Sequence, residues 1–431
     1  METNPIRVCE LLVGPPDVNV LGVEDDDPVQ PLRVHVEIRG SRPRCVGCGS
    51  EARVKDRPPV MLVDLPAFGR PVRLVWRKHR WQCPDPVCGV GSWTGEDARI
   101  GYARLALTDR AGRWVTQQVG RHGRTVNEVA SELDCDWHTV NDAVIAYGTV
   151  LVDDPDRIGE VTALGLDETL FSREGPWNRQ SWSTSIVDVT AGRLLDVVPG
   201  RTAVESSKWL EARGPEWRSN IVWPHWICPA HIGRPSTRCF PTPSRWPTRS
   251  MWSVSPTPNS TNAGVESRTR RSGTEAARTI RCNRIRRLLT KAYERLTIEG
   301  RTRLLGLLDA GDPRGDVKMA WHAKEVVRQI YAHTDPDLAV EFVERLGHDL
   351  QDDSCPLEVR SLGRTLIRWR HQIAAWHQAH VTNGPTEAAN NLIKRVKRVA
   401  FGFRRFRNYR IRVLLYAGRP NWDLLATITP R

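Results

Sequence analysis

The chain has 431 residues and a mass of 48.8 kDa, with 63 Lys and Arg against 50 Asp and Glu, giving a net charge of +13 and a pI near 9.6. Hydrophobic residues make up 40% and charged residues 26%, which fits a globular protein of two or more domains and excludes a collagen-like or disordered chain. No run of about 18 apolar residues occurs, so a membrane span is excluded, and METNPIRVCELLVG lacks the basic start, apolar stretch and cleavage site of a secretion signal. Only 8 of the basic residues are Lys, and the Arg excess points to a GC-rich bacterial genome. The expected place is the bacterial cytoplasm, associated with the nucleoid, and the expected partner is a polyanion, nucleic acid first.

Residues 1–100 read as an N-terminal zinc-binding module. Cys45 and Cys48 form CVGC, and Cys83 and Cys88 form CPDPVC, each on a Gly- or Pro-rich turn between strand-like runs such as LRVHVEI and RPVRLVWRKHRWQC. In a chain without an export signal, close pairs are metal ligands before they are disulfides. Four thiolates in a tetrahedron suit a structural Zn²⁺. His79 is a reserve ligand, and buried, unmetallated cysteines are the alternative.

Residues 101–155 read as a helix-turn-helix DNA-binding domain. A first helix is expected over Thr125–Leu133, with Thr125 as its cap and Glu128 three residues on. After the polar turn Asp134–Asp136, a second helix starts near Trp137 and turns Val140, Val144 and Ile145 inward. His138, Thr139, Asn141 and Asp142 are then expected to face outward, toward base edges or phosphates.

Residues 156–223 change to strand patterning. GEVTALGLDETLF alternates and ends on Asp167 and Glu168; SWSTSIVDV and GRLLDVVPG follow as two strands joined at Thr190–Gly192, and a helix is expected over Ala203–Arg213. Three antiparallel strands and a helix, with an acid on the first strand, are how a ribonuclease-H-like domain begins, and such an acid can hold Mg²⁺. Residues 284–380 show apolar positions at three- and four-residue spacing, broken near 311 and 334, and read as a helical insertion without chemistry of its own.

Residues 381–431 close the chain. Pro385 and Thr386 suit a helix start with Glu387 in its first turn. That helix is expected to expose Asn390, Asn391, Lys394, Arg395, Lys397 and Arg398. Phe401, Phe403, Arg404, Arg405, Phe406, Arg407, Tyr409 and Arg410 follow, a mixture suited to gripping a phosphate backbone and stacking on bases.

The two knuckles, the helix-turn-helix, LGLDETLF and TNGPTEAANNLIKRVKRVAFGFRRFRNYRIRVLLYAG resemble the ISL3 family of insertion-sequence transposases, over about 1–223 and 284–422. The resemblance implies an α/β (α+β) fold: a ribonuclease-H-like catalytic core with a helical insertion, preceded by the zinc module and the helix-turn-helix. It further implies three carboxylates holding two Mg²⁺ ions for DNA strand cleavage and transfer, with Asp167 at the first position and Glu387 at the third. The implied partners are double-stranded DNA, as the terminal inverted repeats of the element and its target, and a second copy of the chain on paired ends. No GxxxxGK[ST] loop occurs, so ATP use is not indicated.

The family pattern requires a second Asp in a strand reading roughly apolar-Ala-Asp-Pro-Phe-His. Residues 224–283 hold no such text: these 60 residues lack Leu, Lys and Asp entirely and carry 9 Arg against only Glu266 and Glu275. A structureless loop of this length inside a compact domain is itself anomalous. Shifting the reading frame allows ATLDLSGPYRAAV from Trp223 through Ser236, ADPFHV across Trp246–Trp252 and a helix-like text running into Arg284. The segment therefore reads as a compensated double frameshift, or an equivalent sequencing error, rather than a linker. The missing Asp would fall at the Pro247–Thr248 junction, so the chain is expected to lack one metal-holding carboxylate and a core strand, and to be inactive. The rival reading is a non-catalytic DNA-binding regulator. The segment also supplies +7 of the +13 net charge, so the case for DNA rests on the cluster at 394–412 rather than on pI.

Overall fold

The computed structural model describes residues 18–25, 27, 29–177, 179–221, 223–226, 286–374, 376–379 and 384–430. Nearly all of the segment read as out of frame, including the Pro247–Thr248 junction, lies outside the described residues. The architecture is mixed α/β, and the chain divides into two compact units, residues 1–159 with 392–431, and residues 160–391. No described helix is long and apolar enough to cross a membrane.

The first unit begins with a four-stranded sheet in the order β1-β2-β5-β4, made from Val18–Glu24, Leu32–Ile38, Arg70–Arg77 and Pro59–Ala67. Alternation along β5 turns Val72, Leu74 and Trp76 to one face, where Val18, Val36, Leu62 and Ile100 complete a core. The run 70–83, read as one strand, splits after Arg77. Its end, β6 (Arg80–Gln82), joins β3 (Arg53–Asp56) and β7 (Ser92–Thr94) in a separate small sheet. Asp64 on β4 is fully buried and accepts hydrogen bonds from Thr108 Oγ1 (2.7 Å) and Arg110 Nε (2.8 Å). That network ties the sheet to α1 (Asp109–Thr116), whose N-cap is Thr108. A π-type turn over Gln117–Arg121 leads to α2 (Val126–Glu132) and α3 (Trp137–Val152).

The second unit is built on a sheet in the order β10-β9-β8-β11, from Arg193–Pro199, Arg179–Asp188, Ala163–Glu174 and Trp223–Trp226. The first two pairings are antiparallel and the last is parallel. The three expected strands are present and buried on both faces, with Leu164, Leu166 and Ile186 on one side and Gly165, Val187 and Leu194 on the other. The fourth strand differs from expectation: the start of the anomalous segment, Pro224–Trp226, pairs with β8. Its backbone meets an edge of β8 that would otherwise present open hydrogen-bonding groups. α4 (Ala203–Glu211) is pinned to β10 by Trp209 Nε1 donating to Asp196 Oδ2 at 2.9 Å, and the short α5 (Pro215–Ser219) follows.

The helical part comprises α6 (Arg286–Thr290), α7 (Ile298–Gly311), α8 (Asp316–Gln329), α9 (Pro336–Asp349), α10 (Leu357–Ala374) and α11 (Trp376–Ala379). Leu304, Leu308, Val317 and Trp321 form one cluster, and Val327, Ile330, Val343, Val359 and Leu366 another. The expected breaks fall at Gly315, which adopts a left-handed φ of 75°, and at Asp335, which caps α9 ahead of Pro336. Buried Lys324 donates to the carbonyls of Leu289 and Lys291 and pairs with Glu325, joining α8 to the chain around α6.

α12 (Gly384–Val399) starts in the second unit, and its residues from Leu392 onward belong to the first. α13 (Phe406–Ala417) packs on α3, where a Cβ on Gly148 would stand 2.8 Å from Ile411 Cγ2. Glycine at 148 is what allows this close approach.

Candidate functional site

Three constellations emerge. In the first unit, the four predicted cysteines come together: their sulfurs all lie within 4.8 Å of one another, with Cys45–Cys88 at 3.7 Å and Cys48–Cys83 at 3.4 Å. A tetrahedron of Zn–S bonds of about 2.3 Å has edges of about 3.8 Å, so the four thiols fit a structural zinc. The first knuckle is closed by Gly49 N donating to Cys45 O at 2.9 Å, and the second by Cys88 N donating to Asp85 O at 3.3 Å. A Cβ on Gly47 would stand 2.8 Å from Val90 Cγ2 and 3.1 Å from Cys88 Sγ, which explains glycine inside CVGC. Hydrogen bonds from Ser50 pull the Cys48 thiol down to about 6, while burial pushes Cys83 up to about 12. His79 is no ligand: its Nε2 pairs with Glu37 at 2.7 Å and its ring packs on Trp81.

The helix-turn-helix has the expected local chemistry. Thr125 and Glu128 form a reciprocal capping box, and Asp136 caps α3 by accepting from Thr139 N (3.0 Å) and Thr139 Oγ1 (2.7 Å). His138 is exposed and Thr139 half-buried, but Asn141, expected to face outward, is only 5% exposed. The reason is distant in sequence: the face of α3 that carries residues 141, 145 and 148 is covered by chain near α13. A groove of about 820 Å³ opens here, lined by Glu128, His138 and Asn141 on one side and by Phe401, Arg404 and Arg405 on the other. Sequence reading treated these as two separate DNA-binding stretches, and the fold places both on one groove. Thr139, Lys394, Arg395, Lys397, Arg398 and Arg407 are not among its lining. Lys394, Arg395 and Arg398 are exposed, with Arg395 over the Tyr416 ring, and Arg407 reaches Thr149 Oγ1 at 3.4 Å.

In the second unit, Asp167 lies on the central strand β8, half-buried. Its Oδ1 accepts from Glu168 N at 2.7 Å, and its Oδ2 accepts from Asn390 Nδ2 at 2.5 Å. Asn390 was expected on the exposed face of α12, yet it is 3% exposed, and its Oδ1 accepts from Ser185 Oγ (2.9 Å) and Thr169 Oγ1 (3.2 Å). Thr386, one turn earlier, packs against Gly165 on β8, where a Cβ would collide with its Oγ1. Thr386, Ala389 and Asn390 share one buried stripe, and a polar residue in such a stripe is the signal that sequence reading passed over. Glu387, three residues before Asn390 in the same helix, is exposed. Among the described residues the four cysteines are the only group of three or more His, Cys, Asp or Glu able to share a metal, and Asp167 and Glu387 belong to no such group.

Comparison with known proteins agrees with the cysteine cluster. Residues 41–88 match the family model described as the zinc-finger of transposases IS204/IS1001/IS1096/IS1165, and residues 261–413 match the transposase model of the ISL3 family with a DDE domain. The second range includes Glu387 and overlaps the end of the 224–283 segment, while Asp167 lies outside both. The chain is 27% identical to the transposase for insertion sequence element IS1001 of Bordetella parapertussis over 214 residues, 48% of this chain and 49% of that one. It is 35% identical over 89 residues, 21% of this chain and 27% of the other, to a Lactococcus lactis subsp. lactis protein called an ATP-dependent protease. The chain thus spans about half the length of the first relative and about a quarter of the second. No solved structure matches. Its zinc ribbon and its C-terminal region are thus both similar to the same group of mobile-element proteins, the ISL3 family of transposases.

Proposed function

We propose that the chain is a DDE-type transposase in design, with DNA recognition in the first unit and a ribonuclease-H-like core in the second. The observation that carries the catalytic half is the seating of α12 on β8: Thr386 meets Gly165 and Asn390 holds Asp167, so the helix that bears Glu387 is docked beside the strand that bears Asp167. The sheet order β10-β9-β8-β11, antiparallel until its last, parallel pairing, supports the ribonuclease-H-like reading. DNA recognition is supported by the single groove shared by the helix-turn-helix and the basic segment. Its ligands would be the terminal inverted repeats and target DNA, with two copies of the chain on paired ends.

Asp167 and Glu387 offer the hard oxygen donors that Mg²⁺ prefers. When bound, divalent ions would neutralise charge on the attacking and leaving oxygens of the scissile phosphate. In this chain Asn390 would fix the rotamer of Asp167, and Glu387 would reach the ions from solvent. Two carboxylates hold a metal pair more weakly than three, and the expected second Asp is absent from the sequence. The chain is therefore proposed to bind DNA but to cleave it poorly or not at all, and the missing Asp also favours the regulator as the second reading.

The test compares wild type, Asp167→Ala and a frame-restored protein carrying the Ala-Asp-Pro-Phe-His text, each assayed for end binding and for strand cleavage in Mg²⁺ or Mn²⁺. All three are expected to bind ends, and the frame-restored protein alone is expected to cleave. Cleavage by none assigns the chain to the regulator class. Cleavage by the wild type, lost in Asp167→Ala, shows that this chain is an active enzyme and removes the frameshift argument. Genomic sequence across codons 222–284 gives an independent answer on the reading frame.

A further inference from the structure

Arg412 on α13 is 6% exposed, and among the described residues its guanidinium has no carboxylate partner; its Nε has no hydrogen-bond acceptor at all. The guanidinium carbon instead lies 5.4 Å from the centre of the Phe403 ring. A buried, unpaired cation is costly, and burial pushes Arg412 down to about 10, which leaves it charged at neutral pH. The same side chain lies on the wall of the 820 Å³ groove. At the lip of that groove Phe401 is 95% exposed and adopts a left-handed φ of 53°, followed by Gly402 at 99°. The left-handed turn caps α12, with Phe401 N donating to Arg398 O (3.1 Å) and Gly402 N to Lys397 O (3.0 Å), and it leaves the Phe401 ring in solvent at the lip. The groove volume lies within the roughly 300–1,000 Å³ of small-ligand pockets, larger than a row of phosphate contacts requires.

We propose that this groove holds one unpaired nucleotide of a DNA strand, with its phosphate against Arg412 and its base stacked on Phe401. The inference rests on the DNA-binding reading of the first unit given above. An anion completes the pairing that Arg412 lacks, and an exposed aromatic face offers stacking that any base can use. His138, Arg404 and Arg405 surround the same space and would hold the flanking backbone.

The probes are two short fluorescent duplexes of the same sequence, one fully paired and one carrying a single unpaired thymidine, titrated with the full chain at low ionic strength. Wild type is expected to prefer the unpaired-thymidine duplex by about tenfold, the stacking of one base. F401A is expected to lose that preference, binding the two duplexes equally. R412Q is expected to weaken binding to both and to lower the salt dependence by about one counterion. Equal wild-type affinity for the two duplexes, or an unchanged preference in F401A, overturns the proposal while leaving DNA binding intact. Absence of binding to either duplex overturns the DNA reading and this inference with it. If R412Q fails to fold, F401A decides, since Phe401 is exposed.

Discussion

Asn390 spans the distance between a helix and a strand that are over 200 positions apart in the chain: its amide nitrogen donates to Asp167 while its amide oxygen accepts from Ser185 and Thr169. All of its polar reach on that side is used, so its orientation and that of the Asp167 carboxylate are set together. Asn390→Ala leaves buried hydroxyls and a carboxylate oxygen without this partner, at a cost of about 1–3 kcal/mol. Asn390→Asp sets a second carboxylate against Asp167, which raises the pKa of the pair in the folded state. A raised folded pKa means that stability is retained below the unfolded value near 4 and lost as pH rises, so N390D is expected to be more stable relative to wild type at about pH 5 than at pH 7. Urea unfolding at the two pH values checks the sign.

Gly165 is predicted to be as sensitive as any acid in the site. Gly165→Ala drives a methyl group into Thr386 Oγ1 and to 2.7 Å from Val189 Cγ2. Overpacking of this kind costs about 1–3 kcal/mol. Adding Thr386→Ala removes the closest clash, so the double variant is expected to regain part of the loss. Simple additivity in thermal unfolding of the four proteins of the cycle would contradict the contact.

The zinc prediction is stoichiometric. One Zn²⁺ per chain is expected by metal analysis, and Cys48→Ser or Cys83→Ser should reduce it severely. Structural zinc supplies about 10–16 kcal/mol to small modules, so chelation is expected to unfold the ribbon, seen as rapid proteolysis within residues 41–95. Because thiolates bind the ion, uptake releases protons and affinity falls in acid. Gly47→Ala, which crowds Val90 and Cys88, is expected to weaken the ion less than loss of a ligand.

For the groove, Arg404→Ala and Arg405→Ala are expected to lower affinity for every DNA sequence alike, each reducing the salt slope by about one. His138→Ala, at the exposed start of α3, is expected instead to change the ranking among sequences. Binding titrations over several salt concentrations separate the two behaviours.

Local chemistry was legible in the sequence. The capping box at Thr125 and Glu128, the paired knuckles and the three strands around Asp167 each follow from residues close together in the chain. What escaped was set by distant chain. Asn141 and Asn390 were expected outside because the segments that bury them, around α13 and β8, are far away in sequence. Arg412 follows a basic run whose members at 404, 405 and 407 are exposed, but it is flanked by Ile411 and Val413 and is buried with them.

The placement of α13 governs the order in which the first unit can fold during synthesis. Residues 1–159 leave the ribosome early, yet Gly148 on α3 and Gly120 in the π turn are covered by Ile411, Leu415 and Trp422, which are made much later. Contacts across such a sequence separation form late. Until translation reaches these residues, the apolar face of α3 stays bare and the groove has only one wall. A fragment ending before Ile411 would carry the helix-turn-helix sequence without its finished surface.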